Sequence, residues 1–559
     1  MAENLLHSLT LEGRRHVARW KDPLNDVSKT TARLAALFFL AGTGCSSTDA
    51  SSPAATASTG GAAGTSAGAG GSTGGSAAAG TGGMGGGGTS GTGGSVAGSA
   101  GSGGDPTTAT YNTLPIPVAL TGTTFDLSLA KSQKALQPGA TTATYGYNGA
   151  DFWGPTLVFN KGDVVQLNVA NQLSEDTTTH WHGLHIPAVM DGGPHQIIPA
   201  GTTWSPSFTV MNKAATYWYH PHLHTKTAAQ LTYGAGGFII IRDPEEAALA
   251  LPRTYGVDDI PVVFSSRRFL SGHQFDTTAV YGDYVVANGA MRAKATLPSQ
   301  LVRLRILNAE IERAYNLGFS DGRTFHVIGT DGGLVDAPVP VTKLKLYVGE
   351  RVEILVDLSK DPPGAAIDLQ AFNGGFPLGF PGGEPGTSGM FGSLLNDTTF
   401  DLLHIEVGAK TAGAITAVPA TLVSNVLWTD ADVTNSRTLH VTDKGPGTPF
   451  TFDNVAFDAN VINQMVTLGA TEKWTITNDM VFDHSFHIHD VQFSIVSRSD
   501  GPVADYEKGW KDTLRVPRAG SVSFVAKFSD FASATNPYMY HCHMSDHEDT
   551  GLMGQFLVQ

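Results

Sequence analysis

The length of its apolar runs constrains the fold of this chain more than any other feature. From Asp105 onward, short stretches rich in β-branched and aromatic residues, such as "LVRLRILNA" and "SVSFVAKFSD", alternate with Gly, Pro, Asn and Asp. Runs of this length between turn residues are typical of strands, and no long amphipathic helix pattern interrupts them. The sequence therefore predicts an all-β fold of sandwiches or barrels.

Three similar segments indicate three related domains. "PTLVFNKGDVVQLNVANQL", "LVRLRILNA" and "VTLGATEKWTITND" share a pattern of apolar strand, turn, second strand and asparagine. A chain of 559 residues is also long enough for about three domains. We predict domains at residues 106–245, 246–408 and 409–559, with the Pro/Gly-rich segment 373–392 as a surface loop.

The first 105 residues have a different composition. Arg33 precedes an apolar run from Leu34 to Ala41, which is too short to span a bilayer and is typical of an export signal. Cys45 follows small residues and resembles the lipid-attachment cysteine of bacterial lipoproteins. We predict that residues 1–45 are an export signal with a lipid anchor at Cys45, the alternative being cleavage and free secretion. Residues 46–105, almost entirely Gly, Ser, Ala and Thr, are predicted to be a flexible linker.

These features predict an exported protein, in the periplasm, anchored to the outer membrane or outside the cell. The formal net charge is −15, and no stretch is basic enough to follow a phosphate backbone, so we expect no nucleic-acid partner. The two cysteines, Cys45 and Cys542, lie in unrelated contexts, which argues against a disulfide framework.

Histidine spacing provides the strongest functional signal. Four His-x-His pairs occur in the chain. They are His180/His182, His220/His222, His487/His489 and His541/His543. On a strand, residues i and i+2 point to the same face, so each pair directs two imidazoles toward one point. Copper, zinc, iron and nickel all accept neutral imidazole, and four such pairs together predict a metal site of several ions.

Cys542 lies between His541 and His543 and must therefore point to the opposite face of their strand. His547 follows five residues later, and His484 precedes His487 by three. Two histidines and one thiolate are the trigonal ligand set of a blue-copper electron-transfer site. The cysteine would then join an electron-accepting copper to a separate cluster held by the other eight histidines.

Four stretches resemble the copper motifs of the multicopper oxidases, of the three-domain bacterial laccase and cuprous oxidase type. They are "HWHG", "YWYHPHLH", "HSFHIHDVQF" and "HCHMSDHEDTGLMG", and the resemblance extends over about residues 110–559. It implies three cupredoxin-like Greek-key β-barrels. It also implies four copper ions that couple oxidation of a donor to reduction of O2, with the type 1 copper in the third domain.

The resemblance also assigns ligands. It implies that His484, Cys542 and His547 hold type 1 copper and that His180 and His487 hold type 2 copper. The two type 3 coppers would take His182, His220 and His543, and His222, His489 and His541. The family does not use the places of the remaining histidines near the motifs, such as His185, His195 and His224, as ligands, so we expect these to be supporting or surface residues.

Three further positions follow from the same resemblance. Leu552 stands where bacterial members often carry an axial methionine, which predicts a raised type 1 potential. The alternative is that Met553 serves after a slip of one residue. Asp191 and Glu548 match family carboxylates that supply protons near the cluster, the alternative being ordinary solvated acids.

The donor is less constrained by the sequence. Segment 373–400 contains only Met390, so the methionine-rich insert of cuprous oxidases is missing. Asp479 and Asp483 could accept a phenolic proton or attract a cation. We predict a monomeric, laccase-like oxidase of phenols or aromatic amines. The alternatives are an oxidase of Cu(I) or another metal ion in copper tolerance, and a non-catalytic copper-binding or storage protein.

Overall fold

The computed structural model describes residues 110–443, 445 and 448–559. The predicted export signal with Cys45 and the predicted linker to residue 105 lie outside the described residues. The described part consists of strands with only short helical turns, which confirms the all-β prediction. None of its helices is long and apolar enough to cross a membrane.

The first region forms two sheets around one apolar core. One sheet has the order β2-β5-β11-β10-β7, and the other has the order β4-β3-β6-β8 with β9 beside β6. The strands are β1 (Asn112–Thr113), β2 (Ala119–Thr121), β3 (Thr124–Gln137), β4 (Ala140–Tyr147), β5 (Thr156–Asn160), β6 (Val164–Asn171), β7 (His180–His182), β8 (Thr203–Trp204), β9 (Ser207–Thr209), β10 (Ala215–His220) and β11 (Gly237–Arg242). The helices are α1 (Thr227–Thr232) and α2 (Pro244–Ala247).

The second region packs a seven-stranded sheet, β14-β13-β12-β16-β21-β18-β19, against a six-stranded one, β1-β15-β23-β22-β17-β20. Strand β1 thus pairs in parallel with a strand of this region. The strands are β12 (Asp259–Arg267), β13 (Tyr284–Ala287), β14 (Ala290–Met291), β15 (Ala293–Pro298), β16 (Leu301–Asn308), β17 (Tyr315–Phe319), β18 (Phe325–Thr330), β19 (Gly333–Val341), β20 (Lys343–Leu346), β21 (Arg351–Asp357), β22 (Ala366–Phe372) and β23 (Thr399–Gly408).

The third region again has two sheets around an apolar core, β25-β24-β27-β31-β29 and β26-β33-β32-β28-β30. The strands are β24 (Asn435–Thr442), β25 (Thr451–Phe452), β26 (Gln464–Val466), β27 (Thr471–Asn478), β28 (His484–Ile488), β29 (Phe493–Arg498), β30 (Thr513–Val516), β31 (Gly520–Lys527), β32 (Tyr538–Cys542) and β33 (Met553–Val558). Helix α3 (Ser545–Thr550) connects the last two strands.

The three segments that look alike in sequence occupy equivalent places. Strands β6, β16 and β27 each pair in parallel with an earlier strand, β3, β12 and β24 respectively. Each ends in an asparagine, Asn171, Asn308 or Asn478, whose side-chain oxygen accepts a backbone N–H two residues later. The same asparagine amide donates to backbone carbonyls of the following loop. The repeated asparagine therefore closes the same turn three times, while the exact domain boundaries stay a prediction.

Candidate metal centre

Strand pairing brings the histidine pairs together. In the first region, His180 on β7 lies directly opposite His220 on β10. In the third region, His487 on β28 lies directly opposite His541 on β32. Because residues i and i+2 share a face, the second histidine of each pair joins the same side. Rings from the two regions stack, with His182 on His487 at 3.8 Å between ring centroids.

One group of three imidazoles is formed by His222, His489 and His541. Their Nε2 atoms lie 3.1–3.4 Å from one another. The Nδ1 atoms face oxygen atoms: Asp191 Oδ2 at 2.6 Å from His489, the Cys542 carbonyl at 3.0 Å from His541 and Glu548 Oε1 at 3.0 Å from His222. With the proton on Nδ1, three Nε2 lone pairs converge on one point without a donor among them.

A second group contains His182, His220 and His543. The Nδ1 of His182 lies 3.1 Å from the Nε2 of His543. The Nδ1 of His220 donates to the Pro221 carbonyl at 2.9 Å, and its Nε2 is buried without a partner. These three side chains offer ligand atoms within 4.8 Å of one another.

His180 and His487 form the third group. The Nδ1 of each faces a backbone carbonyl, that of Asp191 at 2.9 Å and that of Asp512 at 2.8 Å. The Nε2 atoms of both histidines are buried without a hydrogen-bond partner. Buried polar atoms are nearly always paired, so these two nitrogens are free to bind an ion.

Cys542 makes a separate group with His484 and His547. Its Sγ atom lies 3.5 Å from the Nδ1 atom of each histidine. The thiol belongs to the apolar core of the third region, on the face of β32 opposite His541. The rings of Phe450 and Phe482 lie against the two imidazoles, with centroids 4.5 Å from His547 and 4.8 Å from His484, respectively.

The protonation states of the clustered histidines favour metal binding. Burial lowers the pKa of most of these imidazoles, which keeps them neutral and able to donate a lone pair. The affected residues are His182, His220, His484, His487, His489, His541, His543 and His547. For His547, the pKa falls to about 3. A thiolate with two imidazoles is a copper ligand set, and imidazole clusters also suit copper. The residues present therefore fit copper at all of these groups.

Without metal, the thiol of Cys542 should be almost inert. Burial raises its pKa from 9.0 to about 12, which lowers its thiolate fraction near pH 8 roughly 1,000-fold. We expect the copper-free protein, with Cys45→Ser to remove the other thiol, to react with a disulfide reagent only after unfolding in guanidinium. Equal rates for the folded and unfolded protein would contradict this prediction. The measurement is the absorbance of the released thiol product.

The two predicted carboxylates contact the histidines directly. Glu548 is fully buried and lies 3.0 Å from His222 Nδ1 and 3.3 Å from His541 Nδ1. Burial opposes its ionisation, but these two imidazoles outweigh it and hold the pKa of Glu548 well below its usual range. Asp191 bonds His489 and lies 3.4 Å from His180 Nδ1. Both acids are therefore placed to orient ligands and to exchange protons beside them.

Two acids of the site have no signal in the sequence. Asp512, fully buried, lies 3.1 Å from His182 Nε2 and pairs through both oxygens with Arg351 at 2.7 and 2.6 Å. Glu312 lies 3.5 Å from His547 Nε2, and its Oε1 has no hydrogen-bond partner. Burial, followed by the charges of Asp546 and Glu384, raises the pKa of Glu312 well above its usual range.

His185, His195 and His224 lie outside the ligand groups. His185 contacts Asp490 at 2.8 Å and Asp530 at 3.2 Å. His195 bonds Gln555 at 2.7 Å, and His224 packs against Phe457.

Of the two acids expected near the donor, only Asp479 is exposed. Asp483 is buried and accepts a hydrogen bond from Tyr347 Oη at 2.6 Å. It therefore serves the packing between two regions rather than a donor, because its carboxylate faces inward.

Leu552 is fully buried in the same apolar core as Cys542. Met553 pairs directly with His541 across strands β33 and β32. Directly paired residues point to the same face, so Met553 lies on the side away from Cys542. The register thus favours Leu552 over Met553 as the residue at the axial position.

Comparison with known proteins identifies the family. Three models described as multicopper oxidase match residues 129–246, 269–365 and 430–559. The chain is 30% identical to the multicopper oxidase mco of Staphylococcus aureus over 78% of this chain and 88% of that protein. It is also 30% identical to the cell division protein FtsP of Xenorhabdus nematophila, over 80% of this chain and 92% of that protein.

A solved structure agrees with the fold. The laccase-like multicopper oxidase CueO from Ochrobactrum sp., described as active toward lignin model compounds, is 31% identical with a TM-score of 0.71. The match covers 80% of this chain and all of that one. The cupredoxin-like architecture is thereby confirmed, and the chain belongs to the multicopper oxidase family of copper-binding oxidoreductases.

Proposed function

We propose that the chain is a laccase-like oxidase that takes electrons from phenols or aromatic amines beside His484 and His547. Four one-electron oxidations would supply the electrons that reduce one O2, with four protons, to two waters. Bound copper would supply the one-electron chemistry and the reduction of O2. Four ions would be held by His484, Cys542 and His547; by His180 and His487; by His182, His220 and His543; and by His222, His489 and His541.

The observation that carries this proposal is the apolar edge beside the Cys542 group. Phe450 and Phe482, both half-buried, cover the two imidazoles. Val481 and Leu378 are 75% and 66% exposed. They lie close together because Gly379, the residue after Leu378, packs against the Val481 carbonyl. An apolar, aromatic surface favours the ring of a phenol or aniline over a hydrated metal ion. We term Leu378, Phe450, Val481 and Phe482 the donor edge.

Proton supply is assigned to the two buried carboxylates. The Thr227 hydroxyl donates to Glu548 Oε1 at 2.7 Å, and the Asp549 carboxylate accepts the Thr227 backbone N–H at 3.0 Å. The ionised Glu548 can accept a proton from the Thr227 hydroxyl if that hydroxyl takes one from a solvent water in the same step, and Glu548 can then pass the proton on toward the histidines. Asp191→Asn should slow turnover without loss of copper, because an amide keeps the shape but cannot give up the proton. Unchanged turnover would remove Asp191 from this role.

A metal-ion donor is the second candidate, because acids also lie near His547. Glu312 is 3.5 Å from its Nε2, and the half-buried Glu384 and Asp546 are close enough to affect the Glu312 pKa. Ionised carboxylates attract cations, but the raised pKa of Glu312 weakens this candidate, and the thioethers that favour Cu(I) are represented in segment 373–400 by Met390 alone.

Oxygen uptake by the copper-loaded full chain would separate these functions. A phenolic donor and Cu(I) held by a stabilising ligand are supplied in parallel. We expect much faster uptake with the phenol, and Leu378→Asp at the donor edge should raise its KM several-fold. Val118→Asp, at a similarly exposed aliphatic residue that lines a different cavity with no donor-edge residue, is the matched control. Faster uptake with Cu(I) would favour a metal oxidase, and no uptake with either would favour copper storage.

The axial position gives a separate prediction. Leu552 cannot coordinate, so Leu552→Met should add a thioether ligand and lower the reduction potential of the Cys542 site. Redox titration of the visible absorption measures this potential. Met553→Leu, whose side chain is on the opposite face, should leave the potential unchanged. Equal potentials in the wild type and Leu552→Met would remove residue 552 from the axial role.

A further inference from the structure

A cavity of about 250 Å³ shares no lining residue with the four ligand groups or with the donor edge. Its wall is contributed by all three regions, since Lys161 and Lys213 come from the first, Gly332 from the second and Lys527 from the third. Two indole side chains, Trp428 and Trp510, complete it. It is therefore a crevice built by the assembly of the fold rather than by one loop.

The charge of this cavity is opposite to that of the chain. Three lysines line it, and none of its lining residues is Asp or Glu, although the chain has 50 acids against 35 Lys and Arg. Within the part of the chain that the structure describes, none of the three ammonium groups forms an ion pair. Lys213 Nζ donates to the neutral Asn425 Oδ1 at 3.1 Å, and Lys527 Nζ lies 5.4 Å from the centre of the Trp428 ring.

The fourth basic residue of the wall, His185, is already compensated. Its two ring nitrogens face the carboxylates of Asp490 and Asp530. The lysines form no ion pair and can attract an anion, although Lys213 also borders a small cavity lined by Asp243, Glu245 and Glu246, and Lys527 acts electrostatically on Asp432.

The indoles define the shape of the expected ligand. Trp428 and Trp510 are half-buried, with ring centroids 6.1 Å apart and an angle of 72° between the planes. The Trp510 Nε1–H donates a hydrogen bond of 3.0 Å to Asn425 Oδ1, which also accepts the bond from Lys213. Asn425 therefore holds the indole ring and the ammonium group next to each other. Such an arrangement offers an edge and a face to another aromatic ring beside a cation.

We propose that this cavity binds a small aromatic carboxylate, with its carboxylate against the lysines and its ring against Trp428 and Trp510. The volume suits one ring with a short acid group, since pockets for drug-sized ligands begin at about 300 Å³. Two polar residues of the wall, Asn212 and Gln492, donate to the Gly183 carbonyl at 2.9 and 2.6 Å, next to His182. The site therefore adjoins the histidine cluster through one backbone carbonyl.

Calorimetric titration of the full chain with benzoate tests this site, because benzoate has no phenol to be oxidised. We expect saturable binding that weakens with salt. Lys213→Gln/Lys527→Gln should raise Kd at least about tenfold, as expected for the loss of charged hydrogen bonds. The matched control, Lys360→Gln/Lys410→Gln, makes the same charge change at two exposed lysines and should leave Kd unchanged. Melting temperatures establish that both variants are folded.

Three further ligands distinguish the contribution of the ligand's carboxylate from that of its aromatic ring. Cyclohexanecarboxylate and benzyl alcohol should both bind more weakly than benzoate, and Trp428→Leu should reduce the difference between benzoate and cyclohexanecarboxylate. Inorganic phosphate binding as tightly as benzoate would overturn the proposed ligand class. Absence of saturable benzoate binding, or equal affinity in the two double variants, would overturn the site itself.

Discussion

Oxidation of every donor is expected to fall by roughly 10³-fold or more when Cys542 is replaced by serine. Among the residues that the structure describes, Cys542 alone belongs to the group with His484 and His547 and is also the chain neighbour of both His541 and His543. A serine hydroxyl is a poor ligand for copper and does not carry the covalent path for electrons from a thiolate. Electrons from a donor would then have no route to the eight histidines.

Absorption spectroscopy and copper analysis distinguish this loss from unfolding. The variant should lose the visible absorption of a copper thiolate and one copper ion per chain, while the ions at the eight histidines are retained. Cys45→Ser, at the other cysteine of the chain, is the control and should leave both quantities unchanged. Substantial donor oxidation by Cys542→Ser would show that electrons enter the histidine cluster by another path.

Asp512→Asn should be the most destabilising of the conservative changes, by about 3–5 kcal/mol. Arg351 is fully buried, and Asp512 is its bidentate carboxylate partner. The other nearby acid, Asp331, is 3.6 Å away and already pairs with Lys511 at 2.8 Å. An asparagine therefore leaves a buried guanidinium insufficiently compensated, and it also disturbs the contact to His182.

Guanidinium denaturation of the copper-free protein, followed by tryptophan fluorescence, measures this effect without the contribution of metal. Copper analysis then reports whether the disturbed His182 still binds its ion. Asp505→Asn is the matched control, since it removes the same charge from an exposed pair with Lys508 and should not shift the denaturation midpoint. An unshifted midpoint for Asp512→Asn would mean that the Arg351 pair adds nothing to stability.

Much of the site was predictable because its pattern is local. A strand has a period of two residues, so His541-Cys542-His543 must place the thiol on the face opposite the imidazoles, as it does in the structure. The all-β fold was predictable for the same reason, since strand length and turn residues are properties of short segments. The repeated asparagines Asn171, Asn308 and Asn478 were visible as a pattern, although their common task of closing a turn was not.

The acids show where local patterns stop being informative. Asp483 stands next to the ligand position His484, which suggested a residue facing the donor, yet its carboxylate turns inward to Tyr347. Glu312 shows no motif at all and comes within 3.5 Å of His547. Neither orientation depends on neighbours in the chain; both depend on how the second region packs against the third.

The sequence by itself determined which side chains can bind copper and which face of each strand carries them, because that information lies within a few residues. Tertiary structure alone decided what surrounds them: Asp512, 330 positions from the His182 that it contacts, the apolar donor edge, and the lysine-lined cavity between three regions. The physical reason is that contacts between distant strands are set by the packing of whole sheets against one another. No short stretch of the chain specifies such a contact.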